Sequence, residues 1–203
     1  EEIIIILPDN PASRVQYGAE KLIASLEKEE YLVQKTSAAE WDGEGRGIII
    51  AQGDDQALGI LAEQYGLSYK AEDVRNEGYQ IVSNGNLMMI SGKSPSGLLY
   101  GTLEIKDRLN ESGKLDFGLN IIDQPEMVLR GACIGMQKTT YLPGRGVYGY
   151  PYTPENFPWF YDKELWIDYL DMLVENRMNS LYLWNGHPFA SLVKLEDYPY
   201  ALE

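Results

Sequence analysis

The sequence predicts an α/β protein, α+β in its mixture of strand directions: a mixed sheet with helices packed on it, then a parallel strand–helix–strand unit. Three observations carry this. Short apolar runs alternate with amphipathic stretches from residue 3 to about residue 109, and the dipeptide Asn84-Gly85 interrupts the alternation with a hairpin signal. Residues 127–187 then spell an apolar run, a long aromatic loop, a helical stretch and a second apolar run. Two strands joined through a helix of that length pair most easily side by side in one direction.

Taken in order, residues 3–7 are uniformly apolar and end at Pro8, Asp9, Asn10 and Pro11, which reads as a central strand closing in a turn. Ser13 then caps a helix whose Val15, Ala19, Leu22, Ile23 and Leu26 share one face, with Glu20, Lys21, Glu27 and Lys28 in water. Residues 32–36 give a second strand. After a glycine-rich turn over 41–47, residues 47–51 give a third, buried one. Asp54 or Asp55 opens a short helix through Tyr65, with Gly66 where helices commonly stop. Residues 77–83 and 86–91 flank the Asn84-Gly85 turn as an antiparallel pair. Ser94 caps the next helix, Pro95 occupies its first turn, and Leu98, Thr102, Ile105 and Leu109 fall on one stripe before a polar turn over 110–114.

Residues 119–122 are a last strand or a connector, and Asp123, Gln124 and Pro125 mark the boundary between a domain over 1–124 and a second over 125–203. In the second, residues 129–135 form a strand. Residues 162–178 form a helix capped by Asp162, with Leu165, Trp166, Tyr169, Leu170 and Leu173 on one apolar face, and residues 180–184 form the next strand.

Composition bounds the function. The 203 residues are 44% hydrophobic and 24% charged, ordinary for a chain that buries a core. No stretch approaches the roughly 20 apolar residues that span a bilayer, so no membrane partner is expected. The 17 Lys and Arg against 31 Asp and Glu leave a net charge of −14, which repels phosphate backbones, and nucleic acid is not an expected partner. The glycines form neither GxGxxG nor GxxxxGK, so no nucleotide cofactor is expected. The first domain has neither histidine nor cysteine, and His187 is the chain's one histidine, so no metal site of the usual ligand types is expected. Cys133, the one cysteine, cannot form an internal disulfide, and its apolar neighbours imply a buried thiol.

The stretch from Gly97, Tyr100 and Gly101 through Asp123 and Pro125 to Leu129, Arg130 and Gly131 resembles the front of certain glycoside hydrolases: the family 20 β-hexosaminidases and related α-glucuronidase-like and hyaluronidase-like enzymes. Asn176, Arg177, Met178 and Asn179, leading into the second strand, resemble that family's N-K-x-N. The resemblance implies a hexosaminidase-like amino-terminal αβ accessory domain followed by the first βαβ unit of a (β/α)8 barrel. A complete barrel needs about 250 residues, far more than follow residue 124, so the barrel is expected to be incomplete here. The family's acidic pair comes from a later strand than the two present. No catalytic residue is therefore expected within the chain; loop or helix-end solvation accounts for Glu155, Asp162, Glu196 and Asp197.

By the same resemblance, Arg130 matches an arginine that donates to sugar hydroxyls from the end of the first barrel strand, its planar fork suiting vicinal oxygens; the alternative is pairing with a structural carboxylate at the mouth of the barrel. The Asp that often follows the family's R-G is absent, since 131–135 run on apolar, which argues against N-acetylhexosamine specificity in particular. The loop over 141–161 carries Tyr141, Tyr148, Tyr150, Tyr152, Phe157, Trp159, Phe160 and Tyr161. These rings, Tyr141 and Trp159 among them, suit pyranose faces, or else form the loop's own core. Arg145, between Gly144 and Gly146, could meet a sugar carboxylate, but reads first as an exposed turn arginine. Trp184, Asn185 and His187 follow the second strand, at the rim where sugar hydroxyls are expected, although a lone loop histidine also fits a structural role.

The expectation is therefore an amino-terminal fragment of a carbohydrate-active glycoside hydrolase, inactive by itself, with a carbohydrate substrate and no cofactor. The alternative is a non-catalytic carbohydrate-binding or scaffold module using the loop 141–161. A periplasmic-binding-like sensor is disfavoured, because the two halves do not repeat one another. The chain opens on Glu1 and Glu2 with no signal-peptide pattern, so a periplasmic or secreted protein would already have lost its leader.

Overall fold

A computed structural model describes residues 1–52, 54–67, 74–135, 154–155 and 158–184. It divides into two compact units, Glu1–Glu126 and Met127–Glu203.

In the first unit the order is β1 (Glu2–Leu7), α1 (Ser13–Lys28), β2 (Leu32–Ser37), β3 (Arg46–Gln52), α2 (Gln56–Gln64), β4 (Tyr79–Ser83), β5 (Leu87–Gly92), α3 (Pro95–Ser112) and β6 (Asn120–Asp123). The six strands form one mixed sheet in the order β2-β1-β3-β5-β4-β6. β2, β1, β3 and β5 run parallel, with Ile3 beside Val33, Ile5 beside Ile48 and Ile49 beside Met89. β4 is antiparallel to both β5 and β6, and Tyr79 pairs with Asp123.

The apolar runs are continuous because both faces of the sheet are covered. Ile6, Ile49, Ala51, Leu87 and Met89 pack with Leu58 and Ala62 of α2. The alternate residues, Ile5, Ile48, Ile50, Met88 and Ile90, are equally buried on the opposite face. There α3 lies against the sheet, with Gly101 over Ile90, and α1 packs on α3 through Gly18 and Leu99. Of the α1 face read from sequence, Val15, Ala19, Leu22 and Leu26 are buried and Ile23 is half-buried. The α3 stripe holds, since Leu98, Thr102, Ile105 and Leu109 are all buried.

Two of the three caps expected in this unit form. The Asp55 carboxylate accepts the Leu58 N–H at 3.1 Å, and the Ser94 hydroxyl accepts the Gly97 N–H at 3.3 Å. Ser13 is not a cap. The chain is still extended at Ala12 (φ −58°, ψ 149°), which takes the cap position without a side-chain bond, and Ser13 becomes the first helical residue. The hairpin turn is held by the Asn84 side chain, whose Oδ1 accepts the N–H groups of Asn86 (3.2 Å) and Leu87 (2.9 Å).

The second unit contains β7 (Gly131–Gly135), a 3₁₀ turn (Pro158–Tyr161), α4 (Lys163–Glu175) and β8 (Ser180–Trp184). β7 and β8 pair parallel, from Gly131 beside Ser180 to Gly135 beside Trp184, as the strand–helix–strand reading requires. The Asp162 carboxylate caps α4 by accepting the Leu165 N–H at 3.2 Å. Of the α4 face read from sequence, Leu173 is buried and Trp166 and Tyr169 are half-buried, while Leu165 and Leu170 are exposed. The two strands among the described residues make too narrow a ledge to cover a thirteen-residue helix. The same narrowness corrects the reading of Cys133, which is exposed: its face of the strand pair has no cover among the described residues. No described helix is long and apolar enough to cross a membrane.

Candidate functional site

The candidate site lies in the second unit, and its residues divide between the two ends of β7. Arg130 immediately precedes the strand and so stands at its amino-terminal end. Its guanidinium donates from Nε to the Arg177 carbonyl at 2.8 Å and from Nη1 to the Met127 carbonyl at 2.7 Å. The Arg177 carbonyl is presented by a residue in the left-handed conformation (φ 59°), just past the end of α4. Asn179 completes the arrangement: its Oδ1 accepts the Arg130 N–H at 2.9 Å and its Nδ2 donates to the Val128 carbonyl at 2.8 Å. These bonds tie the entry to β7 to the entry to β8. A half-buried arginine whose fork is occupied by backbone carbonyls is employed in holding the chain together.

Removing that fork has a predictable cost. Arg130→Ala gives up charge-assisted bonds to two carbonyls and is expected to destabilise the second unit by about 1–2 kcal/mol. Arg130→Lys, a point charge that cannot span both acceptors, should recover less than half of the loss. Urea unfolding of the two variants beside the parent chain measures it; identical midpoints would contradict the assignment.

Trp159 lies near the other end. It belongs to a cluster in which Phe160 is buried against Ile134, Trp159 and Trp166. The rings meet mainly edge to face: Phe160 and Trp166 at 5.9 Å and 87°, Phe160 and Tyr161 at 5.4 Å and 87°, with Trp159 and Trp166 tilted at 6.0 Å and 42°. The Trp166 indole N–H donates to the Phe160 carbonyl at 2.8 Å, fastening the 3₁₀ turn onto the first turn of α4. Phe160 therefore serves as the loop's own core. Trp159 is half-buried in that cluster and Tyr161 is exposed.

Ile134, the strand residue of this cluster, is four positions beyond Arg130, about 13 Å at 3.3 Å per residue. The two sequence-derived candidates Arg130 and Trp159 are accordingly not brought together. Trp184 ends β8 beside Gly135, so its backbone is at the same carboxyl end of the strand pair as Ile134. Tyr141, Asn185 and His187 lie outside the described residues, as do Arg145, Glu196 and Asp197. Glu155 is exposed, and the Asp162 carboxylate is engaged as a helix cap. Among the described residues no group of three His, Cys, Asp or Glu could hold a metal ion. The residue that sequence reasoning misses is Trp166. Periodicity places it only in an apolar stripe, and the one available signal is its spacing, seven and six residues after Trp159 and Phe160.

No protein-family model matches the sequence. Solved structures do. A GH138 enzyme targeting pectin rhamnogalacturonan II is 47% identical over 100% of this chain, with a TM-score of 0.79, and 27% of its own length is covered. The family GH115 4-O-methyl-α-glucuronidase BtGH115A, with specificity for decorated arabinogalactans, matches 90% of this chain at 14% identity and a TM-score of 0.63, over 25% of its length. The GH20 β-N-acetylhexosaminidase from Streptomyces coelicolor A3(2) matches 89% of this chain at 17% identity and a TM-score of 0.50, over 30% of its length. The two matches below 20% identity establish a shared α/β fold, and the first extends the likeness to sequence. The chain thus resembles glycoside hydrolases, glucuronidase and hexosaminidase among them, and spans between a quarter and a third of their length.

Proposed function

We propose that this chain is the opening part of a glycoside hydrolase that acts on a pectic polysaccharide of the rhamnogalacturonan II class. Residues 1–124 serve as its αβ accessory domain and residues 125–203 begin its (β/α)8 barrel. The observation that carries the reading is the 47% identity, maintained along the whole chain, to an enzyme targeting pectin rhamnogalacturonan II.

Hydrolysis of a glycosidic bond uses two carboxyl groups flanking the scissile oxygen, about 5 to 9.5 Å apart according to stereochemical course. On this reading both come from barrel strands other than β7 and β8, and the chain contributes substrate contacts. Catalytic loops of such barrels gather at the carboxyl ends of the strands. Trp159, Tyr141, Trp184, Asn185 and His187 are accordingly proposed to face sugar. Arg130, at the amino-terminal end, is proposed to hold strands that carry the site. A polymeric pectic substrate suits a periplasmic or secreted enzyme.

The test compares two proteins on purified rhamnogalacturonan II, with released sugars separated by anion-exchange chromatography. A longer protein carrying this chain together with a complete barrel is expected to release sugar, and the 203-residue chain alone to release none. Hydrolysis by the 203-residue chain would overturn the division of labour. Inactivity of the longer protein on this substrate, with activity on another glycan, would overturn the substrate class. A carbohydrate-binding module would instead show sugar binding without release in both proteins.

A further inference from the structure

We infer that residues 123–130, which join the two units, are a stapled crossing: each side of Glu126 is tied to its own unit by a separate arginine. On the amino-terminal side Asp123 closes β6 beside Tyr79, whose hydroxyl donates to the Asp123 carboxylate at 3.2 Å. Arg75 then holds the next two residues, its backbone N–H donating to Gln124 Oε1 at 2.9 Å and its Nη1 to the Pro125 carbonyl at 3.4 Å. On the other side Arg130 Nη1 takes the Met127 carbonyl and Asn179 Nδ2 takes the Val128 carbonyl. Glu126 is the residue between the last carbonyl held by Arg75 and the first held by Arg130.

The composition of the crossing makes these bonds consequential. Met127, Val128 and Leu129 are 67%, 87% and 74% exposed, so apolar burial does little to fix them. Their order comes from the backbone bonds. A segment whose carbonyls are engaged at 125, 127 and 128 cannot be drawn into the extended form that a protease cleft requires until those bonds open. The crossing is thus held by backbone bonds on both sides of Glu126 in place of a slack tether, and Arg75 and Arg130 are the positioning residues that make it so.

Limited proteolysis with a glutamate-specific endoprotease tests this on the 203-residue chain, read as the mass of the fragment ending at Glu126. The parent chain is expected to be cut there at least about tenfold more slowly than an unstructured peptide of the same local sequence. Arg75→Ala combined with Gln124→Ala, and separately Arg130→Ala, should each speed that cut about tenfold with circular dichroism unchanged. Arg75 and Gln124 bond at an exposed surface, so the double variant remains informative even if Arg130→Ala disturbs β7. Cutting of the parent as fast as the free peptide would overturn the inference. So would a folded double variant cut within twofold of the parent.

Discussion

Gly97→Ala is expected to remove about 3 kcal/mol or more from the first unit, the largest loss from any single methyl group added to it. Gly97 lies in the first turn of α3, and a Cβ there would run into the carbonyl oxygen of Gly78. The obstructing atom is backbone, so no rotamer change relieves it. Neither partner is free to retreat. The Gly78 N–H donates to the Arg75 carbonyl at 2.9 Å, and β4, with both neighbours paired, begins one residue later. On the helix side the Ser94 hydroxyl accepts the Gly97 N–H and donates to the Asn76 carbonyl, pinning the turn to the same segment. With a urea m-value of about 1–3 kcal/mol per molar, the unfolding midpoint should fall by at least about 1 M. A shift below a few tenths molar would show that the contact is softer than its geometry states.

Gly131→Ala is expected to have the corresponding effect on the second unit. Gly131 sits at the first register position of β7, beside Ser180, and a Cβ would collide with the Ser180 carbonyl and hydroxyl oxygens. Ser180 is itself held, since its N–H and hydroxyl both donate to the Arg130 carbonyl, at 3.0 and 3.1 Å. The added methyl group would therefore force the strands apart where the Arg130 and Asn179 bonds draw them together. A loss of about 2–3 kcal/mol is expected, seen as roughly 30- to 150-fold faster amide exchange over residues 180–183. Exchange in β1 and β3 should be unaltered. Unchanged protection in β8 would refute the prediction.

These two glycines bear on what the sequence could disclose. Nearly every residue that carries the resemblance to glycoside hydrolases has a structural task here. Gly97 and Gly131 permit close backbone approach, Tyr100 is buried, Asp123 accepts the Tyr79 hydroxyl, and the Pro125 carbonyl accepts from Arg75. Arg130 clasps two carbonyls. The resemblance is therefore a reading of fold, and that is why it holds for architecture while saying little about the site.

Local periodicity makes the elements legible. Uniform apolar runs over 3–7 and 47–51 form strands covered on both faces, and Asp55, Ser94 and Asp162 cap helices where their spacing places them. Ser13 fails because a cap depends on the backbone angle of the residue before the helix, which Ala12 and not Ser13 supplies. The order β2-β1-β3-β5-β4-β6 is not legible, since it follows from which faces α1, α2 and α3 must cover and not from any single run. The role of Arg130 is illegible for a related reason. Its acceptor on Arg177 is 47 residues away and depends on a left-handed turn that no local pattern announces.

The placement of β6 has a consequence for synthesis. Every pairing partner within the six-stranded sheet has been made once the ribosome has added Asp123, because β6 closes onto β4 and nothing later in the described chain enters that sheet. The first unit can therefore mature during translation, as domains commonly do in turn, while β7 is still in the exit tunnel. The nascent chain would then add the β7–β8 pair after the six-stranded sheet is complete, with fewer unsatisfied sheet edges present at once to attract a neighbouring polypeptide.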